Sequence, residues 1–152
     1  MGNGNVVEHP FGARVILIAL GGAQFVNGIW ATLAPSSFYE DFPPAVGGWV
    51  SALPAYNEHL MRDVGGLFMA TGFFLLVAAV HLERRLVLTA SLSYLLFAVP
   101  HTAYHLFNLE PYGTGDVIGN VVALAATVIL PLWLVWVAGR DRDPRPARRP
   151  AP

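Results

Sequence analysis

The chain has 152 residues, of which 55% are hydrophobic and 12% charged, where an ordinary soluble domain carries about 25% charged residues. So few polar residues argue against a soluble fold and point to an all-α integral membrane protein. The absence of cysteine excludes disulfides, thiol redox chemistry, Cys-based zinc sites and Fe–S clusters, and a net charge of −1 gives no reason to expect a nucleic-acid partner.

Residues 1–13 read as a polar N-terminal arm ahead of a four-span membrane domain over 14–139. The first span covers about 15–34, "VILIALGGAQFVNGIWATLA". It is close to the ~20 residues an α-helix needs to cross ~30 Å of hydrocarbon. Its only candidate cleavage point, "TLA", is followed by Pro35, so it reads as a retained helix and not as a signal peptide. A long loop comes next, "PSSFYEDFPPAVGGWVSALPAYN". Its aromatic residues suit a segment lying at the membrane surface or over the mouth of the bundle, with a short interfacial helix expected in "PPAVGGWVSALP".

The second span runs over about 58–80. It opens on "EHLMRD", where His59, Arg62, Asp63 and Gly66 recur at spacings of three and four and so share a helical face. Gly65, Gly66, Ala70 and Gly72 are small enough to admit a closely packed neighbour. The third span, about 86–108, carries His101, His105 and Asn108 at the same spacings, with Tyr104 beside them. The fourth, about 117–138, begins with Asp116 and Asn120 four residues apart. Gln24 and Asn27 make a matching pair on the first span. The segment 140–152 is rich in Arg and Pro and is expected to be a disordered tail, apt to touch anionic headgroups.

All the basic residues are Arg, and most of them fall at Arg14, at Arg84 and Arg85, and in the tail. If all four spans cross, these places share one side, which the positive-inside rule makes cytoplasmic. The expectation is an all-α integral membrane four-helix bundle, N-in and C-in, with a long outward loop between its first two spans. The absence of Lys and the weight of Ala, Gly, Val and Pro suggest a bacterial genome, hence the bacterial cytoplasmic (inner) membrane.

The polar faces of all four spans then lie toward the outer end. Polar groups within a membrane are costly and turn to the bundle interior or a cavity, so together they predict an outward-facing polar pocket under the loop around Trp49. One reading of that pocket is a metal site. His59, Asp63, His101 and His105 form two i, i+4 pairs of imidazole and carboxylate donors, suited to Zn, Fe, Mn or Cu. Glu58, Arg62 and Tyr104 are the candidate catalytic groups, to orient substrate or move a proton. Haem held between His59 and His101 or His105 is the less favoured cofactor. The other reading is structural: Asn57 or Glu58 caps the second helix, and Arg62 and Asp63 tie helices together.

With its four spans and the pattern "NGIWATLAPSSFY" running into a Pro- and aromatic-rich loop, the chain resembles the small four-helix bacterial inner-membrane proteins of the DoxX-like and related uncharacterised families. Some members of that wider group are associated with quinone-linked redox complexes. The resemblance implies a redox or accessory role and, beside the lipid bilayer, a lipophilic small molecule or quinone as partner. Two functions stand side by side. One is metal-dependent or redox chemistry on a lipophilic substrate. The other is a non-enzymatic subunit that stabilises a larger membrane complex, or a homo-oligomer.

Overall fold

The computed structural model describes residues 6–53 and 55–140. It contains five helices in the order α1 (Pro10–Leu33), α2 (Pro35–Asp41), α3 (Glu58–His81), α4 (Arg84–Leu106) and α5 (Thr114–Gly139). The described residues form no strand beyond a single bridge between Val6 and Glu83. Four helices, α1, α3, α4 and α5, are long and apolar enough to cross a membrane. Large apolar side chains cover their outer faces, among them Phe11, Leu67, Leu96 and Ile129. Such a surface is far too apolar for water and suits contact with lipid.

The helix boundaries reflect local chemistry. Pro10 and Pro35 occupy first-turn positions of α1 and α2, where a missing N–H costs nothing and the fixed φ favours helix. Asn57 caps α3 by accepting a hydrogen bond from the Leu60 N–H at 3.1 Å, while Glu58 places negative charge in the first turn. At the other end of α3 the chain turns through Leu82 at φ 52. The short helix of the long loop forms at Pro35–Asp41 and not in "PPAVGGWVSALP", whose described residues, 43–53, form turns and bends. Gly47 and Gly48 take φ of 72 and 77 there, and Pro43 and Pro44 deprive a helix of donors.

The helices close a ring in which α1 packs on α3, α3 on α4, α4 on α5, and α5 lightly on α1. The end holding the α3–α4 turn is solid. Leu17, Leu75, Val87, Leu134 and Val137 are fully buried there, with Val7 and Leu82 packed beneath them. Arginines close the helix ends. Arg14 donates to the Ala79 carbonyl of α3 at 3.1 Å and Arg84 to the Ala138 carbonyl of α5 at 3.1 Å. Each cation meets carbonyls that have no partner within their own helix, at the negative end of its dipole.

Candidate functional site

At the opposite end the same four helices enclose a cavity of about 500 Å³. Gln24 and Asn27 face it from α1, and Met61, Val64 and Phe68 from α3. Tyr94, Phe97, His101, Tyr104 and His105 line it from α4, and Asn120, Leu124 and Thr127 from α5. Phe38, Tyr39 and Phe42, at the α2 end of the loop, and Trp49, Val50 and Leu53 beyond it also line it, as do Asn57 and Leu60 at the start of α3.

These loop residues form a roof fastened at two edges. On one edge Trp30 of α1 meets Phe38 edge-on at 5.4 Å, and Phe38 lies 5.0 Å from Phe42. The Trp30 indole N–H donates to Ser37 at 3.2 Å, and Ser37 donates to Asp41 at 2.8 Å. On the other edge the Trp49 indole N–H donates to the Asp116 carboxylate of α5 at 3.1 Å, and the Tyr112 hydroxyl donates to the Trp49 carbonyl at 2.6 Å. Burial, with the neighbouring Tyr104 phenol, pushes the Tyr112 phenol above its ordinary value, which keeps its proton in place for that bond. Gly119 leaves room for the indole, since a Cβ there would lie 3.1 Å from the Trp49 ring.

The expected site residues divide between two surfaces. His101, His105 and Tyr104 line the cavity. The two imidazoles meet at a centroid distance of 4.6 Å and an interplanar angle of 67°, and His101 stacks on Phe97 at 4.9 Å. Glu58, His59, Arg62 and Asp63 are not among the lining residues. His59 and Asp63 pair with each other at 3.2 Å, with 88% and 60% of their side chains exposed. Arg62 pairs with Glu58 at 2.8 Å and donates to the Thr32 carbonyl near the C-terminal end of α1, the third arginine to close a helix end. The reason is rotational. At about 100° per residue, turning Met61, Val64 and Phe68 inward carries 58, 59, 62 and 63 to other faces.

His59, Asp63, His101 and His105 therefore do not converge. Among the described residues no group of three or more His, Cys, Asp or Glu is placed to hold a metal ion, so His101 and His105 gain no third donor of that kind for Zn, Fe, Mn or Cu. His59, the opposing axial ligand expected for haem, lies outside the cavity. His9 sits beside Trp133, on the far half of α5, and His81 is in the last turn of α3.

The cavity's own polar groups are mostly neutral. Gln24 is 7% exposed and Asn120 2%; the Asn120 side chain hydrogen-bonds the Tyr112 phenol, and the Gln24 Nε2 and His105 Nδ1 atoms have no hydrogen-bond partner. Among the described residues that line it, none is Asp, Glu, Lys or Arg. Sequence reasoning missed Tyr94, Phe97 and Thr127. Their signal was present in the spacing: Tyr94 and Phe97 stand seven and four residues before His101, and Thr127 stands seven after Asn120, in phase with the polar faces.

No family model matches this chain, and no curated protein or solved structure matches it either.

Proposed function

We propose that the chain is a four-span membrane protein that binds a small lipophilic molecule in the roofed cavity, with both termini on the cytoplasmic side. The observation that carries this reading is the composition of the wall. Side chains from all four spans build an apolar, largely aromatic chamber, and Gln24 and His105 in its wall each hold a nitrogen without a partner. Unpartnered polar atoms are uncommon in a folded interior, and ligand sites combine apolar walls with a few well-placed polar groups. A volume of about 500 Å³ lies within the range of small-molecule sites. His101 and His105 stand in the wall as the groups able to accept or donate a proton.

The orientation rests on Arg14, Arg84, Arg85 and Arg140 at one end of the bundle against Arg62 at the other. A reporter that is active only outside the cytoplasm, fused after Pro152, should be silent, and an active one would reverse the orientation.

The binding reading is tested by photolabelling the protein in lipid nanodiscs with adamantane diazirine, a neutral hydrocarbon probe. Crosslinks should concentrate on Met61, Val64 and Phe97 and weaken on the remaining wall in Val64→Trp, whose indole narrows the chamber. Label confined to lipid-facing positions such as Leu96 and Ile129 would overturn it.

A further inference from the structure

We infer that the chamber takes its ligand sideways from the bilayer, through the gap between α3 and α4, and not through the roof. This rests on the binding reading above and names the source of the ligand. The four long helices are held as two pairs. α1 meets α3 backbone to backbone at Gly28, Gly65 and Gly72. α4 is tied to α5 by a side-chain hydrogen bond between Tyr94 and Thr127, and by Arg84 on the Ala138 carbonyl. Between α3 and α4 the rings of Phe68 and Phe97 meet edge-on at 5.1 Å. Outward of that contact, among the described residues, no hydrogen bond, ion pair or ring contact joins the two helices.

The chamber walls differ in the same sense. Toward α1 and α5 the lining is shut, with Gln24, Asn120 and Leu124 buried. Toward α3 and α4, Leu60 and Tyr104 line the chamber and are 54% and 47% exposed. Both also border the outer surface. Leu60 stands seven residues before the exposed Leu67, and Tyr104 stands four after the exposed Pro100, so each shares a helical stripe with a position that faces out. Val64 lies behind Leu60 on the chamber side. A lipophile passing between Leu60 and Tyr104 leaves hydrocarbon for an apolar wall without meeting water, where its transfer would be costly. Entry through the roof would bring it through water and would break the bonds of Trp49 to Asp116 and Tyr112.

The experiment compares the free probe, adamantane diazirine, with an anchored one. The anchored probe is a phosphatidylcholine carrying a diazirine midway along one acyl chain, whose head group keeps it in the bilayer and bars it from the roof. Both are photolysed with the full chain in nanodiscs. The anchored diazirine should mark Leu60, Val64 and Tyr104 as well as lipid-facing positions such as Leu96. In Leu60→Trp, whose indole narrows the gap, its label at Val64 should fall about fivefold while label at Leu96 is unchanged, and an unaltered unfolding midpoint in mixed micelles shows that the variant has folded. Anchored label confined to lipid-facing positions, with the free probe still marking Met61 and Val64, overturns lateral entry and leaves the binding reading standing. Undiminished anchored label at Val64 in a folded Leu60→Trp also overturns it, because the chain then enters elsewhere. Absence of chamber label from both probes overturns the binding reading and this inference with it. The wild-type comparison decides even if Leu60→Trp fails to fold.

Discussion

One helix, α3, takes part in two contrasting surfaces. Along its seam with α1 there is no space at all. A Cβ at Gly72 would lie 2.6 Å from the Phe25 N and 2.7 Å from the Gly21 O, and one at Gly28 would lie 2.6 Å from the Met69 N. On the neighbouring face, Met61, Val64 and Phe68 look into an open chamber. Lipid gives apolar helices no hydrophobic reason to associate, so contact must come from close packing, and the smallest residues permit the closest packing. The chamber stays open for the complementary reason. Bulky aromatic side chains, Phe68, Tyr94 and Phe97 among them, line its walls. The seam anchors the wall that the cavity needs.

Enlarging a side chain on each surface separates the two. Gly72→Leu drives a side chain into the backbone of α1, which cannot rotate away, and should cost about 3 kcal/mol or more, read from unfolding in mixed micelles. Val64→Phe, on the same helix, adds a comparable bulk toward open space and should change stability by less than about 0.5 kcal/mol. A tolerated Gly72→Leu would mean that the helices are not in backbone contact. A severe loss from Val64→Phe would mean that the chamber is already filled by packed side chains.

The next test concerns the roof, which is held to the chamber by few bonds. Asp116→Ala removes the acceptor of the Trp49 indole N–H and should loosen the roof by about 1 kcal/mol. The loss should be local. Amide exchange should quicken about fivefold over residues 45–53, and the α1–α3 seam should be unmoved. Equal acceleration in the seam would show that the roof and bundle open as one unit.

The four long apolar helices were legible because the cost of charge in hydrocarbon leaves uninterrupted runs that composition reveals at once. The polar faces of α1, α4 and α5 were legible for a related reason: Gln24, Asn120 and the pair His101 and His105 are periodic and have nowhere polar to go but inward. On α3 the same signal misleads. His59, Arg62 and Asp63 are as periodic as the others, yet they lie within the first two turns, where capping, i, i+4 pairing and a carbonyl of the neighbouring α1 supply partners. Periodicity shows that a face exists and does not say which way it turns. That direction was set by Gly65 and Gly72, whose need for α1 fixes the rotation of α3. The position of α2 was hidden in a similar way. Pro35 starts a helix and Pro43 prevents one, and the difference lies in the residues on their C-terminal sides: "SSFYED" continues a helix, whereas Pro44, Gly47 and Gly48 break one.

The smallest expected effect separates the two groups of histidines. His105 lines the chamber with an unpartnered Nδ1, whereas His59 is exposed and paired only with Asp63. His105→Ala removes a polar group from the chamber wall and should change adamantane diazirine labelling of Met61 and Val64 about threefold, the size of a single modest hydrogen bond. His59→Ala should leave that labelling unchanged and move stability by less than about 0.5 kcal/mol, as surface pairs commonly do. If His59→Ala altered occupancy as strongly as His105→Ala, the outer face of α3 would belong to the site after all. The division between a packed, structural side of α3 and a binding side would then fail.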